Sequence, residues 1–358
     1  MIVFHVILVV GMIRHMENIS LNGYFDFDKY ERKGEYDGGV SLRNFPTKAV
    51  DFLEHHKIKG HFFNDFNSGA YLLGRVYPNI KVFIDGRTEL YGPRFFTDYQ
   101  RISNGDTKLF SQLVDFYMLT GVFLNSVYNP FSQGLLKYLY DSKEWSLVYF
   151  DYDATIFLRN IQENQEWIDR YKIDLSTWQT QPVDLLKLGP RPITPYRYIN
   201  RAKVLFYFGL YDKAQMELNE ASRIISTDAD IYDWLGRIYL VHNENDKAYE
   251  NFRLALVLNP HKEKARFYLA QSAYRLNDLR QAEKLCVKLL NNDPKNRDAS
   301  LLLVLIRIRE NRYDEAMQII KQIVFRRKLG SEQLSEIIDL LSAQGRMAEI
   351  KEIRDMIN

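Results

Sequence analysis

A single cysteine, Cys286, stands in 358 residues, so no intrachain disulfide can form and no zinc site can be built from cysteines. Neither sign of charge dominates. The 48 basic and 46 acidic residues leave a net charge of +2, which gives no reason to expect nucleic acid as a partner. There is no phosphate-binding loop, no dinucleotide-binding glycine fingerprint and no HExxH pair. Serine or cysteine nucleophile arrangements cannot be assembled from the residues present, so no catalytic residue is assigned. His55, His56, His61 and Asp65 come nearest to a metal set. Adjacent histidines near a helix end are more often simply solvated, so no metal ligand and no cofactor is assigned. Residues 1–13 (MIVFHVILVVGMI) are apolar apart from His5, yet fall short of the ~20 residues that cross a bilayer alone. They also lack the preceding positive charge and the following small-residue cleavage site of an export signal. Two readings remain for residues 1–18: a membrane-associated segment, such as the end of a transmembrane helix, or a buried strand or helix. The first is the expectation carried forward.

What the chain does contain is regular. Steps of 34 from Gly209 reach Asn243, Asn277, Asn311 and Gly345 without insertion or deletion. Glycine and asparagine tolerate the left-handed backbone that a tight turn between helices needs. Five positions further on stand Ala214, Ala248, Ala282 and Ala316, small enough for two helices to approach closely. A period of this length means stacked helical hairpins, with repeat starts at Pro195, Ala229, Glu263, Arg297 and Ser331. In that register Cys286 matches Leu218, Phe252 and Ile320, which makes it a buried core thiol.

The preceding half reads differently. Residues 19–44 form a polar, glycine-dotted linker, and 45–160 alternate short apolar runs with helical patterns. Strands are expected at 61–64, 81–85 and 121–125, with a closing hairpin at 145–150 and 155–159. Helices are expected at 46–57, 69–76, 95–102, 108–117 and 131–140. Such alternation implies a small α/β sandwich with a mostly parallel sheet. A helix at 162–172 and the prolines at 182, 190, 192 and 195 make 161–194 a helix and linker before the repeats at 195–358. The fold class is therefore α/β plus all-α.

The segments WLGRIYL, NDKAYENFRLALVLNP and YDEAMQIIKQI resemble the tetratricopeptide repeat over roughly 160 residues. The second repeat matches best, through Leu235, Gly236, Tyr239, Ala248, Phe252, Ala255 and Pro260. The first has Ser226 in place of the closing proline, and the fifth has Ile350 where the small alanine belongs, as a cap would. The resemblance implies a right-handed α-solenoid that binds an extended peptide or partner helix in a groove, with Lys203, Phe206, Arg237, Gln271 and Tyr274 at the groove positions. Trp234 and Tyr268 stand where the family's carboxylate clamp needs polar groups, so that clamp is not expected.

In the α/β part, FFNDFNSGAYLLGRVYPNIKVFIDGRTELYG places Asn64, Asp65, Ser68 and Gly69 after one strand. Asp85, Gly86, Arg87 and Glu89 follow the next. Polar groups past the carboxyl ends of parallel strands sit where α/β sheets bind ligands, so Asn64, Asp65, Gly69, Asp85, Arg87 and Glu89 are ligand-binding candidates. Asp85 and Arg87 serve equally well as a structural ion pair. With PTKAVDFL and WSLVYFDYDATIFLR, this stretch resembles the domain that follows the membrane core of bacterial glycosyltransferases of the dolichyl-phosphate-mannose mannosyltransferase-like kind. That resemblance covers about 110 residues and implies an extracytoplasmic, membrane-associated location; a cytoplasmic one is the alternative. The membrane core and its catalytic carboxylates are missing from this sequence. Two functions follow as expectations. The first is a non-catalytic interaction scaffold whose repeats take a protein or peptide and whose α/β domain meets a membrane or membrane protein. The second is a part of a membrane glycosyltransferase that helps bind acceptor or lipid-linked sugar.

Overall fold

A computed structural model describes residues 9–13, 24–25, 32–33, 36–37, 40–41, 45–126, 133–182, 195–326 and 334–357. Most of the expected terminal segment, of the 19–44 linker and of the proline-rich linker, together with the repeat start at Ser331, lies outside them. Among the described residues no helix is long and apolar enough to cross a membrane. The chain divides into two compact units, Met1–Ser226 and Thr227–Asn358.

The first unit is built on β1 (Gly60–Asn64), β2 (Ile80–Val82), β3 (Gly121–Asn125), β4 (Trp145–Phe150) and β5 (Ala154–Arg159). Their order across the sheet is β2-β1-β3-β5-β4. β1 runs parallel to β2 and β3, whereas β5 is antiparallel to both β3 and β4. The sheet is thus mixed, and the expectation of a mostly parallel one is corrected. The cause is local. Residues 151–153 joining β4 to β5 are too few for a crossover, so the pair must be antiparallel. β5 then enters between β3 and β4 and carries its reversed direction onto β3. Two separate two-residue ladders pair Tyr24–Phe25 with Arg32–Lys33 and Tyr36–Asp37 with Val40–Ser41.

Helices cover both sheet faces because neighbouring strand residues point to opposite sides. Phe62, Phe123, Ile156 and Leu158 pack with α1 (Thr47–His55), α2 (Phe66–Val76) and α6 (Gln165–Tyr171) through Val50, Leu53, Leu72 and Ile168. On the other side Phe63 meets Phe110 of α4 (Thr107–Phe116) at 5.4 Å and Tyr99 of α3 (Pro93–Ser103) at 5.9 Å, ring centre to ring centre. Helix α5 (Gln133–Asp141) supplies Tyr140, which stacks on Phe208 at 4.5 Å.

Phe208 belongs to the first repeat, the hairpin of α7 (Tyr196–Tyr207) and α8 (Tyr211–Ile224), and it also meets Phe150 and Phe157 of the sheet. Glu217 on α8 is fully buried and accepts hydrogen bonds from Arg201 Nε at 2.9 Å and Trp178 Nε1 at 3.2 Å. Arg201 reaches on to Asp151 in the β4–β5 turn at 3.2 Å. A buried charge held this way is strongly destabilising to orphan, so the hairpin is fastened to the α/β body and not merely adjacent to it.

The described residues of the second unit form four hairpins. They are α9 (Ala229–Val241) with α10 (Asn245–Leu258), α11 (Glu263–Arg275) with α12 (Leu279–Asn292), α13 (Arg297–Arg309) with α14 (Tyr313–Arg326), and α15 (Ser335–Ala343) with α16 (Met347–Ile357). Every 34-residue turn position is left-handed: φ is +84° at Gly209, +59° at Asn243, +64° at Asn277, +58° at Asn311 and +71° at Gly345. Ala214, Ala248, Ala282 and Ala316 are buried, as is Cys286, whose thiol burial pushes up to about 12. At Gly236 a Cβ would come within 2.7 Å of the Phe252 ring, which explains the bare backbone there. Successive repeats are also tied by arginine: Arg275 donates to the Leu240 carbonyl at 3.1 Å, and Arg309, one period later, to the Tyr274 carbonyl at 3.3 Å. Those carbonyls lie in the last turn of their helices, where each also accepts from the amide of the turn asparagine, Asn243 at 3.2 Å and Asn277 at 3.1 Å.

Candidate functional site

The carboxyl ends of β1 and β3, the chain leaving β2 and the β4–β5 turn gather the polar residues that the sequence singles out. Asn64 closes β1 and is buried. Its Nδ2 donates to the carbonyls of Asp65 at 2.8 Å and Ile84 at 2.7 Å, while its Oδ1 accepts from the Phe83 amide at 2.8 Å. The side chain thereby completes the backbone pairing where β2 diverges from β1. Asp65 is the N-cap of α2. Oδ1 accepts from the Ser68 amide at 2.9 Å and Oδ2 from the Asn125 amide at 3.0 Å. Burial raises its carboxyl above the ordinary range despite those donors. Gly69 permits α2 to lie directly on the β2 exit: a Cβ would collide with the Ile84 carbonyl oxygen and come within 2.7 Å of Asp85 Cα.

Asp85 is 2% exposed and holds Arg87 in a fork, with Nε on Oδ1 at 3.0 Å and one terminal nitrogen on Oδ2 at 2.6 Å. The Arg87 amide and the Tyr91 hydroxyl complete its bonding. The guanidinium holds the carboxyl down at about 2. Arg87 itself faces solvent, and Glu89, in a 3-10 turn, is exposed. The structure therefore brings Asn64, Gly69, Asp85 and Arg87 together around the β2 exit, with Asp65 beside them and Glu89 at the rim. Asn64, Asp65 and Gly69 join the strand ends to each other and to α2, whereas the bonds among Asp85, Arg87 and Tyr91 close the 85–91 loop on itself.

Two participants escape a sequence reading. Tyr91 bonds Asp85 and stacks on Phe95 at 5.0 Å, a four-residue spacing that is a usable signal. Asp153 in the β4–β5 turn is buried, caps α1 through the Ala49 amide at 3.0 Å and accepts from the Tyr149 hydroxyl at 3.0 Å. Burial, with the Asp151 charge adding to it, pushes its carboxyl up to about 6. No composition or spacing marks that residue. His56, part of the imagined metal set, instead shares a hydrogen bond with the Tyr171 hydroxyl at 2.8 Å.

The groove candidates fall in different units. Lys203 and Phe206 lie on α7 in the first, the former half-buried and the latter buried. In the second, Arg237 on α9 lies between the rings of Trp234 and Tyr268, 4.4 and 4.6 Å from their centres, and pairs with Asp233 at 2.9 Å. Trp234 and Tyr268 are one period apart, so equivalent positions of two repeats clasp one arginine. Tyr274 is buried under Arg309, whose guanidinium stands 4.0 Å from the ring centre. Gln271 is half-buried on the same face of α11 as Lys264, seven residues earlier and exposed. A separate polar cleft of about 270 Å³ is lined by Asn311, Arg312, Tyr313, Asp314, Glu315 and Arg346. Its arginines are engaged by Glu315 and Glu349.

Residues 273–331 match the tetratricopeptide-repeat family model. That segment is of tetratricopeptide-repeat type. Solved structures of similar proteins include a tetratricopeptide-repeat protein from Parabacteroides merdae, 16% identical over 55% of this chain and 72% of that one, with a TM-score of 0.41. PilF of Pseudomonas aeruginosa is 16% identical over 46% of this chain and 74% of its own, with a TM-score of 0.39. YrrB, a tetratricopeptide-repeat protein with an unusual peptide-binding site, is 17% identical over 45% of this chain and 83% of its own, with a TM-score of 0.38. No curated protein matches the sequence. Tetratricopeptide-repeat proteins bind peptide or protein partners.

Proposed function

We propose that the chain is a non-catalytic scaffold. Its tetratricopeptide unit takes an extended peptide of a protein partner along α9 and α11, and its α/β unit couples to a membrane-bound assembly on the extracytoplasmic side. The observation that carries the reading is the matched repeat segment 273–331 within an uninterrupted 34-residue array. Such arrays present surfaces and leave chemistry to others. The polar residues at the strand ends support the same view, because Asn64, Asp65 and Asp85 are committed to the fold.

A second reading is favoured by one feature, the solvent-facing guanidinium of Arg87 beside Tyr91. In it the α/β unit belongs to a membrane glycosyltransferase and helps bind acceptor or lipid-linked sugar.

A peptide-display library panned against the full chain tests the scaffold. The expected result is a selected peptide whose affinity falls about tenfold when Lys264→Glu and Gln271→Glu are combined, with the melting temperature unchanged. Peptides indifferent to both changes, or no selection above background, would overturn the reading. Arg237 is a poor choice for such a test, since Arg237→Glu sets a second carboxylate against Asp233 and destabilises the unit directly.

A further inference from the structure

The strand order of the first unit creates a place where open α/β sheets take their ligands. From β1 the chain passes through α2 to β2 on one side, then returns across β1 to reach β3 on the other. α2 packs on the sheet face that carries Phe62, with Leu72 in that core. α5, which follows β3, lies on the opposite face, where Tyr138 meets the Phe110 ring of α4 at 6.2 Å and bonds Ser111 at 2.9 Å. The connections leaving the neighbouring carboxyl ends of β1 and β3 therefore diverge to opposite sides of the sheet. Such a divergence opens a crevice between two strand ends, and the amides that begin the helix behind it favour an anion.

In this chain the crevice is bridged from within. Asp65 follows β1 directly. Its carboxyl oxygens divide between the Ser68 amide in the first turn of α2 and the amide of Asn125, the last residue of β3. One carboxyl group thus spans the gap between the two diverging connections. Tyr99 reaches in from α3 on the other face, and its hydroxyl accepts from the Phe66 amide at 2.8 Å. Asp65 is fully buried and Tyr99 is 5% exposed, so both closures are shut off from solvent. Ser68 Oγ, in the same turn, is buried with no hydrogen-bond partner among the described residues, one polar atom more than the cap itself employs.

Asp106 shows what a cap alone requires. It accepts from the Leu109 amide of α4 at 2.9 Å, stays 30% exposed along its side chain and pairs with Arg101 on the surface. Asp65 does more, because its second oxygen serves a strand 60 residues further along the chain.

We propose that Asp65 is a built-in ligand: the chain fills the carboxylate site of the β1–β3 crevice with its own side chain, and the α/β unit takes no external anion there. The glycosyltransferase reading is then confined to the rim around Arg87 and Tyr91. The peptide groove plays no part in the test, so its outcome is separate from that of the scaffold reading.

Asp65→Gly in the full chain removes the resident carboxyl while keeping a residue acceptable at the cap position. Sodium formate, the smallest carboxylate, is the probe, with sodium chloride at equal concentration as the reference. The substitution should lower the first unit's melting temperature by roughly 5–10 °C, and 0.2 M formate should recover about half of that loss. The unsubstituted chain and Asp106→Gly should respond to formate no more than to chloride. Should Asp65→Gly be unfolded in buffer, the titration is run in trimethylamine N-oxide, which raises the folded population, and is read by the return of helical circular dichroism. A formate effect confined to Asp65→Gly supports the built-in ligand. No recovery by formate, equal recovery by chloride, or the same recovery in Asp106→Gly would make Asp65 an ordinary cap and overturn the proposal. Formate stabilising the unsubstituted chain beyond chloride would overturn it as well, because the crevice would then be open.

Discussion

Replacing Asp85 by asparagine separates a structural role for the β2 exit from a ligand-binding one. The carboxyl lies at about 2 in the folded chain, against an ordinary value of 3.8. A difference of just under two units corresponds to ~2.4 kcal/mol of favourable interaction with the ionised form. Arg87, the main cause, is 58% exposed along its side chain, so solvent screening reduces what the pair delivers. About 1–2 kcal/mol remains. The sign follows from the lowered value. The stabilisation is fully present above the unfolded carboxyl's pH of about 4 and disappears as pH falls through about 2. Asp85→Asn should therefore lower the first unit's melting temperature by roughly 2–8 °C at pH 7, and by about half as much at pH 3. Differential scanning calorimetry at the two pH values measures this, and part of the loss should vanish in 1 M salt. Equal losses at pH 7 and pH 3, or none at pH 7, would refute the ion pair as a structural tie.

Two more substitutions probe the units separately. Asp153 lies at about 6, raised by burial, so its stabilising contribution is complete below about pH 4 and is lost as pH rises through 6. Asp153→Asn should then raise the first unit's melting point at pH 8, by the equivalent of ~1–3 kcal/mol, and leave it unchanged near pH 4; thermal melts at both pH values check this. In the second unit Asn277→Val places a β-branched residue at φ +64° and should cost about 1–2 kcal/mol, whereas Asn277→Gly should be nearly neutral. Urea unfolding followed by circular dichroism distinguishes the two.

The repeat half was legible because its requirements are stereochemical. Only a few residue types accept the turn, and only a small one fits five positions later, so Asn243 and Ala248 announce the same geometry as Asn277 and Ala282. The sheet was legible strand by strand but not in direction. Trp145–Phe150 and Ala154–Arg159 read as a hairpin, yet nothing in their composition says that the second strand inserts against Gly121–Asn125. The candidate site was legible in location and illegible in purpose. Asparagine and aspartate at strand ends serve ligands and backbone caps with the same atoms, and Asn64 and Asp65 proved to be satisfying amides. Arg237 shows the same difficulty, since its clasp needs Trp234 and Tyr268 brought together from two repeats.

The hairpin fastened to the α/β body has a consequence for how this array can change over evolutionary time. Repeat proteins lengthen by copying units, and a copied unit must offer a neighbour-compatible surface on both sides. The hairpin of Tyr196–Tyr207 and Tyr211–Ile224 does not, because Phe208 and Glu217 are shaped to the sheet and to Trp178. A duplicate of it placed further along would carry a buried acid with no arginine–tryptophan cradle of its own. Growth by duplication is consequently open to the later hairpins and closed to the first, which should persist as a single, divergent copy in any lengthened descendant.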